Sequence, residues 1–163
     1  MADPTLATAA QLIDQGRPDE ALLELEPYVA EHPDDPEALY LLGSAHDSAG
    51  HEAEAVDPYR RALALGVEPE RAVATRIQLA STLRNLGRSG EAVELLREVV
   101  EARPDHRAAR MFLSLALLSD DRPADAVHVL LDLLLTDPGP PEAYRRSLRW
   151  YADDLVGLAD HDD

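Results

Sequence analysis

The chain contains no cysteine and no lysine, so its 15 basic side chains are all arginine. Without cysteine it has no disulfide, no thiol nucleophile and no zinc-thiolate site, which fits a reducing cytosol and points to a cytoplasmic location. Without lysine it has no P-loop lysine, no Schiff-base chemistry and no side-chain lysine acetylation. Long apolar runs are missing as well. No stretch approaches the length that spans a membrane, and the start, Met1-Ala2-Asp3-Pro4, lacks the basic and apolar regions of a signal peptide. Positive charge is scarce. Against 32 acidic residues it leaves a net charge of −17, which repels phosphate backbones and anionic lipid, and no long basic run compensates. Nucleic-acid and membrane partners are therefore not expected.

What remains is enough apolar chain for one packed domain. At 163 residues and 45% hydrophobic composition, the sequence is neither a disordered acidic tail nor long enough for two sizeable cores. Its main signal is internal repetition. Gly16, Gly50, Gly87 and Asp121 are spaced 34, 37 and 34 residues apart, and Ala21, Ala55, Ala92 and Ala126 keep the same intervals. Pro33, Val67, Pro104 and Pro138 repeat them near the unit ends. The expected division is one domain over 1–163, with units 2–35, 36–69, 73–106 and 107–140.

Each unit reads as two amphipathic helices. In the second unit Leu39, Leu42, Gly43 and His46 share one face of a first helix, and Ala55, Tyr59 and Ala62 face inward from a second. Small residues at Ala9, Gly43, Ala80 and Ser114 let paired helices approach. The larger Leu25, Tyr59, Leu96 and Leu130 are expected to fill the space between them. Gly16, Gly50 and Gly87 suit the left-handed conformation that closes a helix. The extra residues Glu70 to Ala72 are expected to lengthen the third unit's first helix by almost a turn, with Pro69 at its start. Pro27 and Pro58 fall inside second helices and should bend them.

Leu42-Gly43 with Ala55, Tyr59 and Ala62, and Leu79-Ala80 with Gly87, Ala92, Leu96 and Pro104, resemble the tetratricopeptide repeat family, whose unit is a 34-residue helix-turn-helix. The runs Ala62-Leu63-Ala64-Leu65-Gly66 and Trp150-Tyr151-Ala152-Asp153-Asp154-Leu155 look like those of a bacterial subfamily of dimeric members. The resemblance implies an all-α, right-handed α-solenoid of four repeats. It also implies protein interaction and dimerisation rather than catalysis. A capping helix is expected over about 141–158, where Tyr144, Leu148, Tyr151 and Leu155 form one apolar stripe, followed by an acidic tail at 159–163. No unit carries the family's favoured early tryptophan, and Tyr28, Val99 and Leu133 replace the small residue kept at Ala62.

Catalytic chemistry is not expected, and neither is a cofactor. The serines lack a triad, Gly87-Arg88-Ser89-Gly90 reads as a turn, and paired aspartates at 34–35, 120–121 and 153–154 suit caps and solvated surfaces. His46 takes a position where such repeats commonly hold tyrosine and should be half-buried and hydrogen-bonded. With Asp47 and His51 it is the nearest approach to a metal site, but the spacing aligns poorly and no metal is expected. His32, His106 and His128 should be solvated.

First helices line the concave side of such an array. The expected partner groove comprises Leu6, Ala10 and Ile13; Tyr40, Ser44 and Asp47; Ile77, Ser81 and Arg84; and Met111, Leu115 and Leu118. Its apolar content suits a peptide or helix from an unidentified protein. The carboxylate clamp of some family members is not supplied, because its positions fall on Leu6, Ala10, Leu41, Ala74 and Gln78, or on Tyr40, Ser44, Gln78, Ala108 and Phe112. Arg84 with Arg76 and Arg145 or Arg149 could form a modest anion-friendly region. The fourth unit is apolar on nearly every face, which predicts a homodimer contact through Leu131 and Leu135 with Trp150 as an anchor. The alternative is a structural self-assembling dimer that uses its apolar surface only on itself.

Overall fold

The computed structural model describes residues 3–136, which form eight α-helices with no strand among them. In chain order they are α1 (Pro4–Asp14), α2 (Pro18–Glu31), α3 (Pro36–Ser48), α4 (Glu52–Leu65), α5 (Pro69–Asn85), α6 (Ser89–Ala102), α7 (Arg107–Ser119) and α8 (Pro123–Thr136). Each odd-numbered helix packs against the helix that follows it, giving an all-α solenoid of helical hairpins. The expected capping helix and acidic tail lie outside the described residues. No helix among them is long and apolar enough to cross a membrane.

The two kinds of helix start differently. Each odd-numbered helix has a side-chain cap: Asp3 accepts from the Thr5 N–H, Asp35 from Glu37 and Ala38, Glu68 from Glu70 and Arg71, and His106 Nδ1 from Ala109. By contrast α2, α4 and α6 have none. They start straight after a tight turn in which Gly16, Gly50 and Gly87 take φ of +71°, +77° and +75°. Asp121, the fourth residue in this register, adopts φ +55°, a conformation that aspartate tolerates better than most side chains. Arg17–Glu20, Arg88–Glu91 and Arg122–Asp125 repeat one exposed ion pair at these starts, where the second unit has His51 and Glu54.

Helix α5 begins with Pro69 and spans 17 residues, the longest of the eight, because the extra residues Glu70 to Ala72 form its first turn. Pro27 and Pro58 sit inside α2 and α4, which continue through them.

The core falls into two clusters. Residues of α1 to α3 gather with Ala62 in one, and Ala55, Val56 and Tyr59 join α5 to α8 in the other, with Tyr40 packed against both. Leu25, Tyr59 and Leu96 fill the space between paired helices and are fully or almost fully buried. Leu130 departs from that expectation and remains 40% exposed. Its three counterparts are each covered by the first helix of the next unit, whereas Leu130 belongs to the last described helix.

The tightest approach is between Gly43 and Tyr59. A β-carbon on Gly43 would lie 2.7 Å from Cδ1 of the Tyr59 ring, which is fully buried and cannot swing away. Gly43→Ala should therefore lower unfolding stability by about 1–2 kcal/mol despite alanine's higher helix propensity. Adding Tyr59→Leu, which recreates the Ala80/Leu96 pair of the third unit, should recover most of the loss. Chemical denaturation of the single and double variants checks both, and a stable Gly43→Ala protein would contradict the packing argument.

Candidate functional site

The arrangement of helices decides which face is concave. Odd-numbered helices touch one another along the array, α1 with α3, α3 with α5 and α5 with α7, while the even-numbered helices form no comparable contacts among themselves. The odd set therefore lies at the inner radius. The outer helices splay, leaving a hollow of about 520 Å³ between α4 and α6 whose floor is Leu63, Leu79 and Leu95.

Of the residues expected to line the groove, Ala10, Ile13, Tyr40, Ser44, Asp47, Ser81, Arg84, Met111, Leu115 and Leu118 are half-buried. Leu6 and Ile77 are corrections to that expectation. Both are buried in the core, Leu6 with Leu22 and Leu25, and Ile77 with Tyr59 and Leu83. Spacing from one unit to the next gives the angle of a side chain about its helix. It does not give how closely the neighbouring helix presses on it. The side chains of Leu131 and Leu135, and Trp150 entirely, lie outside the described residues, as do Arg145 and Arg149. Arg76 faces away from the groove, with its Nε 3.9 Å from Glu98 on α6, so it does not join Arg84 in an anion-friendly region.

Helices α3 and α5 meet more sparingly than the other inner pairs, and their junction is polar. The Arg71 guanidinium donates to Glu37 at 2.9 Å and lies 4.3 Å from the centroid of the Tyr40 ring. Thr82 Oγ1 lies 2.8 Å from Asp47 Oδ1 and 2.9 Å from the Gln78 carbonyl. Glu70, beside Arg71, accepts from Arg103 at the end of α6. The inserted turn is thus tied to α3 on one side and α6 on the other. Arg71 and Glu37 were not among the expected groove residues. The signal for Arg71 was the insertion itself, which places an arginine where the other units have no residue, while Glu37 sits at an ordinary position near the start of α3.

Burial sets the protonation behaviour here. It pushes the Asp47 carboxyl above its ordinary range, an effect that the Thr82 hydrogen bond reduces and the Glu52 charge increases. Burial, followed by the Asp47 charge, drives the Tyr59 hydroxyl well above its usual value. His46 is half-buried as expected, but its buried Nδ1 has no hydrogen-bond partner. Its ring lies 5.9 Å from that of His51. Even so, no group of three histidine, aspartate or glutamate side chains is placed to hold a metal ion among the described residues. His106 caps α7 and His32 stacks on Tyr28 at 4.3 Å, so both have structural roles beyond the solvated ones expected.

Burial lowers the His46 pKa, with Glu26 and Glu54 opposing and His51 reinforcing the shift. The folded chain then binds this proton less readily than the unfolded chain, so the stability His46 contributes is complete above its ordinary value and lost as the pH falls through it. Between about pH 7.5 and about pH 5.5, His46→Gln should show a smaller drop in denaturation midpoint than the parent chain. Equal slopes would contradict a neutral, buried His46.

A sequence model described as "Tetratrico peptide repeat" matches residues 36–155, and a second, "Tetratricopeptide repeat", matches residues 2–45. None of the curated proteins compared with the chain matches it. Several solved structures share its fold. The MamA protein superposes with a TM-score of 0.72 at 22% identity, covering 84% of this chain and 78% of that one. YrrB, described as a TPR protein with an unusual peptide-binding site, gives 0.71 at 19% identity over 98% of this chain and 80% of its own. A putative kinesin light chain from Podosopora anserina with nearly identical TPR-like repeats gives 0.70 at 21% identity, with 94% and 92% covered. At these identities the likeness is one of fold. Together with a family match over most of the sequence, the repeated helical hairpins and the left-handed turn closing each one establish that the chain belongs to the tetratricopeptide repeat family.

Proposed function

We propose that the chain is a non-catalytic interaction module whose concave groove receives a peptide or helix from another protein. The observation that carries this reading is the recurrence of half-exposed apolar side chains on three inner helices: Ile13 on α1, Tyr40 on α3, and Met111, Leu115 and Leu118 on α7. An inner face of that kind offers apolar contact to a guest while the surrounding carboxylates and arginines keep the surface soluble. The fold it shares with YrrB, whose peptide-binding site is noted in its description, supports the same reading. The lack of cysteine suits a cytoplasmic setting.

Photo-crosslinking in the source cell tests this directly. A benzoylphenylalanine introduced in place of Tyr40 or Met111 should give partner adducts, and one replacing Leu23, 73% exposed on α2, should give few. Met111→Glu should remove the partner from a tagged-protein pull-down without unfolding the chain. Adducts from position 23 alone would move the binding surface to the outer face.

Self-association is a second reading, favoured by Val127 and Leu130, which are 53% and 40% exposed on α8. It places a homodimer contact at α8 through Leu131 and Leu135, with Trp150 as the anchor, and leaves open a protein that uses its apolar surface only on itself. Light scattering after size exclusion should give a dimer mass for the parent chain and a monomer mass for Leu131→Glu with Leu135→Glu. A monomer at every concentration of the parent chain would rule the contact out.

A further inference from the structure

The outer face carries an apolar recess of its own. Between α4 and α6 a hollow of about 520 Å³ opens to solvent over Leu63, Leu79 and Leu95. Leu79 is buried, while Leu63 and Leu95 pack on the core cluster and remain half-buried. The same positions one unit earlier are Val29, Leu42 and Pro58, and all three are buried. The repeat architecture can therefore cover these positions, and between α4 and α6 it leaves two of them partly open.

The rim of the hollow is charged, and its charge is lopsided. Arg60 stands on α4, whereas Glu91, Glu94 and Glu98 stand on α6. Arg60 bridges to Glu91 at 2.7 Å, and Arg88 donates to the same carboxylate, so this end of the hollow has matched charge. Further along α6 the matching is weaker. Glu94 meets Arg97 of its own helix at 3.2 Å, and Arg76 approaches Glu98 at 3.9 Å, too far for a hydrogen bond. These two carboxylates are 72% and 68% exposed, so water screens their contacts and an incoming cation can compete for them. Exposed Glu101 continues the row, giving α6 glutamates at i, i+3, i+7 and i+10. Like charges at that spacing repel along a helix, a local cost that the packing of α6 does not require.

An open trough walled by two helices takes a third helix lengthwise, with apolar anchors at i and i+3 or i+4. Leucines on the floor and carboxylates along one wall select a helix that is apolar on one stripe and basic beside it. The overall charge of −17 favours the approach of such a guest. We propose that the trough between α4 and α6 is a docking surface for a basic amphipathic helix of another protein, whose apolar stripe rests on Leu63, Leu79 and Leu95 and whose arginines or lysines pair with Glu94 and Glu98. It lies on the face opposite the concave groove and does not depend on what that groove binds.

A phage-displayed library of peptides of about 16 residues, long enough for four helical turns, is panned against the full chain, and affinities of the selected peptides are measured by fluorescence anisotropy. Peptides with apolar residues at helical spacing and adjacent arginine or lysine should be recovered. Leu95→Arg should weaken them at least tenfold and Glu94→Gln with Glu98→Gln about fivefold, whereas Met111→Glu in the concave groove should leave them unchanged. Replacing the peptide's basic residues by glutamine should cost about the same factor on the parent chain and little on the double variant. Glu94 and Glu98 are exposed, so the double variant decides the matter even where Leu95→Arg lowers the melting temperature. Recovery of no peptide sensitive to the double variant would overturn the proposal, as would peptides that need Leu95 but carry no basic residue. Benzoylphenylalanine in place of Arg60 should give no covalent dimer when the purified chain is irradiated alone. Such a dimer would make a second copy the occupant and overturn the assignment to another protein.

Discussion

The close seat of Tyr59 on Gly43 organises the middle of this molecule. An aromatic ring fits between α3 and α4 only because Gly43 has no side chain, and the ring then extends from the second helix of one unit toward the first helix of the next. It anchors the core cluster that continues through α5 to α8. In the third unit the corresponding pair is Ala80 and Leu96, which fills similar space with no polar end.

Curvature distributes the remaining surface. A helical hairpin cannot bury its apolar face alone, so stacking is obligatory, and stacking hairpins with unlike sides puts one set of helices on an inner radius. The inner helices touch, and the outer ones leave the Leu63, Leu79 and Leu95 hollow open. At the α3–α5 junction, where inner contact is thinnest, side chains bridge the gap: Arg71 to Glu37 and Tyr40, and Thr82 to Asp47. The Arg71 pair is exposed enough that water screens much of its attraction. It orients the groove wall more than it stabilises the fold. The buried Thr82 hydroxyl, by contrast, works where water does not compete, so its contact fixes the position of Asp47.

Much of this was legible in the sequence. The hairpin architecture, the left-handed turns at Gly16, Gly50 and Gly87 and the lengthened α5 all follow from local rules, which act over a few residues and recur in each unit. The helical period also puts Tyr40, Ser44, Asp47 and Met111 on one side of their helices, and the structure leaves them half-buried. Leu6, Ile77 and Leu130 show where that reasoning stops. Period fixes which way a side chain leaves its helix, whereas depth depends on a neighbour some 34 residues away. Arg71 escaped notice because an inserted residue has no counterpart in the other units from which to infer a role.

The sequence by itself determined the repeat, the helix boundaries that caps and glycines enforce, and the absence of thiol and lysine chemistry, since composition and local conformation need no distant partner. Only the tertiary structure decided that Asp47 meets Thr82, that Arg71 covers Tyr40, and that the Tyr59 ring is fully buried against Gly43. Those contacts join residues from different helices, so no local rule reaches them.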